Sequence, residues 1–80
     1  MASKIIVIED DPLILKLISQ TLQREGYEVV TATDGSEGLR KVRETHPHLV
    51  VLDISLPGLD GYQVCHHIRS THETSKLPVI

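Results

Sequence analysis

Aromatic residues, cysteine and positive charge are all scarce in this sequence of 80 residues. It contains no tryptophan or phenylalanine and two tyrosines, so it offers no series of stacking platforms for nucleic-acid bases. Its 11 acidic residues outnumber its 8 lysines and arginines, whereas proteins that bind a phosphate backbone usually present a basic surface. We therefore expect no direct binding to nucleic acid.

The single cysteine, Cys65, excludes an internal disulfide and is typical of a reducing, cytoplasmic compartment. It lies on the apolar stripe of a predicted helix, which favours a small core residue over a reactive thiol. Long apolar runs are absent as well. The run that follows Lys4 soon meets three acids and is too short for a signal-peptide core or a bilayer span. We expect a cytoplasmic protein with no membrane role.

Short apolar runs alternate with amphipathic segments along the chain. The predicted strands cover residues 4–8, 27–32, 50–52 and 77–80. Each intervening segment begins with an aspartate suited to cap a helix: Asp11 precedes a proline, and Asp34 and Asp60 have the capping-box spacing. This alternating order with short connections predicts an α/β fold, a doubly wound parallel sheet with helices on both faces.

Helical spacing identifies the inward faces of the first two helices. The residues predicted to face the core are Ile14, Leu17, Ile18 and Leu22 in the first helix, and Leu39 and Val42 in the second. Lys41 is predicted to face the solvent. Gly38 costs a helix interior roughly 0.5 to 1 kcal/mol relative to alanine, unless close packing requires it.

Acidic residues follow two of the predicted strands. Glu9 and Asp10 come after the first strand and Asp53 after the third, and carboxyl ends of parallel strands are where ligands bind in open sheets. If the first and third strands are neighbours, these three carboxylates converge and repel each other, so raised pKa values, a basic side chain or a divalent cation must offset the repulsion. No basic residue lies near these positions in the sequence, which favours a cation. Oxygen ligands alone indicate Mg²⁺ or Mn²⁺ and phosphoryl chemistry, with Asp53 as a nucleophile.

Three segments carry a family resemblance. They are residues 5–12 (IIVIEDDP), 49–64 (LVVLDISLPGLDGYQV) and 77–80 (LPVI), and together they resemble the receiver domains of two-component response regulators. The resemblance implies a flavodoxin-like sheet of strand order 2-1-3-4, with Asp53 as phosphoacceptor. It also implies Mg²⁺ held by Glu9, Asp10, Asp53 and the backbone carbonyl of Ser55. The implied phosphodonor is a sensor histidine kinase, a phosphotransfer protein or a small phosphorylated molecule.

Receiver domains have five strands and five helices, and the resemblance here reaches the fourth strand. We therefore expect residues 1–80 to be a truncated receiver domain that lacks the fifth strand and the last two helices. A hydroxyl residue after the fourth strand and a lysine after the fifth would be missing too, which predicts poor phosphorylation of the 80-residue chain. An uncovered sheet edge predicts that the chain associates with itself.

Two other functions fit parts of the pattern. A Mg²⁺-dependent phosphohydrolase with an aspartate nucleophile commonly carries a second acid two residues later, where Ser55 stands. An inert interaction domain would bind no cation, which a Mg²⁺ titration distinguishes. Adjacent histidines on a helix point about 100° apart, and no cysteine or acid completes a tetrahedral metal set. The histidines predicted to be surface residues are His46, His48, His66, His67 and His72.

Overall fold

Strands and helices alternate along the chain in the computed structural model, which describes residues 3–53, 61–70 and 76–80. The elements are β1 (Lys4–Ile8), α1 (Pro12–Arg24), β2 (Glu28–Ala32), α2 (Gly35–Thr45), β3 (Leu49–Leu52) and α3 (Gly61–Ser70). The predicted alternation is confirmed. None of the described helices is both long and apolar enough to cross a membrane.

The sheet is parallel, with β1 in the middle and the order β2-β1-β3. Residues 78–80 lie on the other side of β3, where Val79 pairs with Val50 in a parallel bridge. The Val50 N–H donates to the Pro78 carbonyl at 3.0 Å, and the Ile80 N–H donates to the Val50 carbonyl at 2.9 Å. The last apolar run therefore occupies the fourth-strand position, and the predicted order 2-1-3-4 is confirmed.

Two predicted caps begin the first two helices. The Asp11 side chain accepts hydrogen bonds from the N–H groups of Leu13 and Ile14, and the Asp34 carboxylate accepts from Glu37 N–H at 2.8 Å. At the end of α1, Gly26 has a φ of +91°, the left-handed conformation expected of a glycine that ends a helix. The predicted cap Asp60 lies outside the described residues.

The main core is aliphatic and lies between the sheet and the two helices α2 and α3. Its buried members are Ile6, Ile8, Ala32, Val42, Val50, Val64 and Ile68. Leu39 is half-buried against this cluster, so the predicted inward face of α2 is confirmed. Cys65 is half-buried on α3, and the four described histidines at 46, 48, 66 and 67 are exposed.

The opposite face of the sheet carries α1, which has no fully buried residue. Leu17 is 57% exposed and Ile14 43% exposed, so the prediction that these two residues face the core is wrong. Ile18 and Leu22 are half-buried as expected. The main contacts of α1 are with β1 and β2. The apolar stripe of the helix extends beyond the area that these two strands cover. Side chains on the outer flank of the stripe therefore remain in solvent.

Two residues of α2 are fixed by the sheet beneath them. A Cβ at Gly38 would lie 2.8 Å from Ile8 Cγ1 and closer still to Ile8 Cδ1, which explains a glycine in the helix interior. The prediction that Lys41 faces the solvent is wrong, because its side chain is half-buried and Nζ donates a hydrogen bond to the Thr31 carbonyl. The long lysine stem reaches over the helix edge to the end of β2.

Candidate metal and phosphoacceptor site

Hydrogen bonds of the parallel sheet bring the acidic residues to one edge. The Glu9 N–H donates to the Ala32 carbonyl at the end of β2, and the Asp53 N–H donates to the Ile8 carbonyl at the end of β1, each at 3.0 Å. The backbone of Glu9 is thus held against β2, while Asp53 follows β3 on the other side of the central strand. Asp10 is the next residue after Glu9 and completes the group.

The three carboxylates meet at the carboxyl edge of the sheet. Glu9, Asp10 and Asp53 each offer one oxygen, and these oxygens all lie within 4.8 Å of one another. Glu9 is 8% exposed, Asp53 is half-buried and Asp10 is exposed, so the cluster opens to solvent on the side of Asp10. Asp11 is not a member, because its carboxylate caps α1 while its N–H donates to Glu9 Oε2 at 3.1 Å.

The surroundings of Glu9 disfavour its charged form. Burial is the largest cause of a raised pKa for this carboxyl group. Hydrogen bonds with the Asp53 and Asp10 carboxylates and the negative charge of Asp53 raise the pKa further, while the Asp11 N–H acts in the opposite direction. Without a cation, Glu9 therefore retains its proton more readily than an isolated glutamate does.

These residues fit Mg²⁺ by chemistry and by spacing. Magnesium prefers hard oxygen ligands at about 2.0 to 2.1 Å in an octahedral arrangement, so opposite ligands lie about 4.2 Å apart. Oxygens within 4.8 Å of one another need only small side-chain adjustments to satisfy that geometry. Exposure on the side of Asp10 leaves space for the several water molecules that Mg²⁺ usually keeps, and for phosphate oxygens as further ligands.

Sequence patterns predicted three of the four proposed ligands to converge, and the structure brings Glu9, Asp10 and Asp53 together. The fourth, Ser55, lies outside the described residues.

The capping-box spacing from Asp34 to Glu37 predicted that Glu37 reaches back to the start of α2, and in the structure it accepts a hydrogen bond from the Thr33 N–H. The contact of Lys41 with the end of β2, beside the site, was not predicted. The i,i+4 spacing of Glu37 and Lys41 on a helix was the signal available in the sequence.

The fold and site define an α/β protein of the flavodoxin-like class with a cluster of three acidic residues at the carboxyl edge of its sheet. The family model described as response regulator receiver domain matches residues 5–80. This chain belongs to that family.

Individual relatives agree with the family assignment. The chain is 45% identical over 76 residues to the transcriptional regulatory protein AfsQ1 of Streptomyces coelicolor, covering 95% of this chain and 32% of the relative. It spans 29 to 32% of the length of the three curated relatives compared, which are therefore much longer proteins.

Two solved structures are similar to this chain over most of its length. The response regulator TrrA of Thermotoga maritima, in complex with Mg²⁺-BeF, has 41% identity and a TM-score of 0.85, covering 89% of this chain and 62% of that one. The receiver domain of a sensor histidine kinase from Pseudomonas aeruginosa has 28% identity and a TM-score of 0.94, covering 99% and 65%. That structure has a magnesium ion coordinated in its active-site cleft.

Proposed function

We propose that this chain is a phosphoacceptor signalling module in which Asp53 receives a phosphoryl group at a Mg²⁺ site. The observation that carries the proposal is the meeting of Glu9, Asp10 and Asp53, with ligand oxygens within 4.8 Å, at the carboxyl edge of the sheet. The Mg²⁺-containing receiver structures of the two relatives described above support it. The backbone carbonyl of Ser55 is proposed as a further ligand.

Asp53 is the proposed nucleophile. One of its carboxylate oxygens attacks the phosphorus atom of a phosphohistidine, an O–P bond forms as the N–P bond breaks, and the departing imidazole nitrogen takes up a proton. Mg²⁺, when bound, neutralises part of the negative charge shared by the carboxylates and the phosphoryl oxygens. The Asp53 N–H donates a hydrogen bond to the Ile8 carbonyl, which fixes the backbone of the nucleophile at the end of β3.

The proposed partner is a sensor histidine kinase or a phosphotransfer protein that carries the phosphohistidine. Transfer is stoichiometric in this proposal, because the phosphoryl group stays on Asp53 until it is hydrolysed or passed on. We infer a cytoplasmic site of action, since one cysteine in 80 residues is typical of a reducing compartment.

Phosphoryl transfer to the 80-residue chain tests the proposal. The chain is incubated with acetyl phosphate and Mg²⁺, and the phosphoryl group is located by mass spectrometry. We expect a low level of modification at Asp53, absent in Asp53→Asn and in the presence of EDTA. Asp34→Asn is the matched control, because Asp34 caps α2, is not a member of the acidic cluster, and asparagine is an equally good cap.

Two outcomes would count against the proposal. Modification that persists in Asp53→Asn would place the phosphoacceptor elsewhere. Release of phosphate so rapid that no phosphorylated Asp53 accumulates, abolished in Asp53→Asn, would favour a phosphohydrolase over an acceptor that holds the phosphoryl group.

A further inference from the structure

Two side chains of α2 hold the backbone at the end of β2. Lys41 Nζ donates a hydrogen bond to the Thr31 carbonyl, and Glu37 Oε1 accepts one from the Thr33 N–H at 2.8 Å. The second carboxylate oxygen of Glu37 lies 3.8 Å from Lys41 Nζ, so the two side chains also form an ion pair. The residue between the two anchored positions is Ala32.

Ala32 is the residue of β2 to which the Glu9 backbone is hydrogen-bonded. Its carbonyl accepts the Glu9 N–H at 3.0 Å, and Ala32 itself is 1% exposed. Glu9, a proposed metal ligand, is therefore hydrogen-bonded to Ala32, and the residues on either side of Ala32 are both held by side chains of α2. A shift of that strand end would move Glu9 relative to Asp53, which is attached to the other side of β1.

The same helix carries a second ion pair with a different environment. Arg40 and Glu44 are 3.0 Å apart with side chains 56% exposed each, whereas the side chains of Lys41 and Glu37 are 27% and 34% exposed. Exposed i,i+4 pairs contribute little to stability and are screened by salt. The pair of Lys41 and Glu37 differs because it is partly shielded from solvent and both side chains form hydrogen bonds with the backbone at the end of β2.

We propose that Glu37 and Lys41 are positioning residues for the metal site and act through Ala32 on Glu9. They fix the end of β2 so that the Glu9 carboxylate remains within reach of Asp10 and Asp53. Groups that orient metal ligands tune metal affinity, and removing one that contacts a ligand directly typically costs 10- to 100-fold. The inference rests on the function proposed above, since it assigns these residues to the same Mg²⁺ site.

Mg²⁺ affinity measured on matched variants tests the role of Lys41. Lys41→Met and Arg40→Met each remove one positive charge from α2, and the first alone breaks the contact with β2. We expect Mg²⁺ to bind Lys41→Met about 3- to 10-fold more weakly than wild type, because the effect passes through one backbone hydrogen bond. Arg40→Met should remain within about twofold of wild type, and Lys41→Arg should recover part of the loss.

A second measurement needs no metal. In EDTA, amide hydrogen exchange at Glu9 should be faster in Lys41→Met than in Arg40→Met, because the carbonyl that accepts its N–H is less firmly held. Should Lys41→Met fail to fold, Glu37→Gln carries the test: the amide oxygen can still accept from Thr33, while the charge that pairs with Lys41 is lost. We expect about 2- to 3-fold weaker Mg²⁺ binding for that variant.

A purely structural role predicts another result. Lys41→Met would then unfold at lower temperature than Arg40→Met but bind Mg²⁺ with wild-type affinity and show wild-type exchange at Glu9, which would overturn this inference. Failure of the wild-type chain to bind Mg²⁺ at Glu9, Asp10 and Asp53 would instead overturn the proposed function. The two failures are thus distinguished by the wild-type titration.

Discussion

Glu9 is the residue at which the fold and the proposed chemistry meet. Its backbone extends the pairing between β1 and β2, and its side chain is buried among other carboxyl groups. A residue placed for sheet stability alone would not carry a charge into this position, because burial of a carboxylate without a cation is unfavourable. A cation bound by these carboxylates, as proposed above, would therefore stabilise the fold.

Replacing Glu9 with glutamine should reveal the free-energy penalty of burying the Glu9 charge. The raised pKa of Glu9 means that the folded chain binds this proton more tightly than the unfolded chain does. The stabilisation that protonated Glu9 gives the folded chain is therefore fully present below pH 4.5, the ordinary pKa of glutamate. It is lost as pH rises through the raised pKa of Glu9. In EDTA we expect Glu9→Gln to be more stable than wild type at neutral pH, with a difference that grows as pH rises above 4.5.

Urea unfolding at a series of pH values measures this difference. The glutamine oxygen can still accept the Asp11 N–H, so the variant removes the charge and keeps that contact. With Mg²⁺ added, the order should reverse, because only the wild-type chain retains the full set of carboxylate ligands. Parallel stability curves for the two chains in EDTA would contradict a penalty for charge at Glu9.

At the scale of elements, the contact between α2 and β1 is set by a glycine. Alanine at Gly38 would add helix propensity worth roughly 0.5 to 1 kcal/mol, but its Cβ would lie 2.8 Å from Ile8 Cγ1. Overpacking of a core contact costs typically 1 to 3 kcal/mol. We expect Gly38→Ala to lower the free energy of unfolding by about 1 kcal/mol, the net of these two effects.

A double-mutant cycle identifies the cause of that loss. Ile8→Val removes the Cδ1 atom that a new Cβ would meet, so the combination of Ile8→Val with Gly38→Ala should be more stable than the sum of the single changes predicts. Strict additivity in thermal unfolding would show that the glycine is not required by Ile8.

Element order and most boundaries could be predicted because local patterns determine them. The caps at Asp11 and Asp34 and the apolar run of β1 need only neighbouring residues to be recognised. The exposure of Leu17 and the burial of Lys41 could not be predicted in this way. They depend on how far a helix overlaps the strands beneath it, which helical spacing does not specify.

The candidate site was predictable for a related reason. Parallel strands with right-handed crossovers bring their carboxyl ends to one edge, and an acid after β1 meets an acid after β3 there when these two strands are neighbours, as they are in the structure. Sequence order, together with the strand order that the family resemblance implies, therefore indicated Glu9, Asp10 and Asp53. The capping box predicted a backbone contact for Glu37 but not its link to the site. The contact of Lys41 was missed, because it depends on a side chain of α2 that reaches a backbone atom of a different element.

At the scale of the whole molecule, the edge of the sheet formed by residues 78–80 is the candidate contact between copies of the chain. On the side away from β3, the backbone of residues 78–80 faces no strand among the described residues, and Ile80 is 77% exposed. Unpaired strand backbone and apolar side chains favour pairing with a further strand. We predict that the 80-residue chain self-associates through this edge, as sedimentation velocity over a range of concentrations would detect.

Two variants separate the edge from the other apolar surface. Ile80→Lys places a charge on the edge and should shift the chain toward monomer, because lysine opposes edge-to-edge pairing. Leu17→Gln alters the exposed flank of α1 and should leave association unchanged. A folded wild-type monomer at all concentrations would contradict the prediction, and association lost only in Leu17→Gln would assign it to α1.

A Mg²⁺ titration followed by backbone amide chemical shifts tests the central claim most directly. We predict saturable shifts concentrated at Glu9, Asp10 and Asp53, where the ends of β1 and β3 meet, and their loss in Asp10→Asn. Asp34→Asn, whose carboxylate caps α2, should titrate like wild type. No Mg²⁺-dependent change at these three residues, or an unaltered titration in Asp10→Asn, would contradict the account.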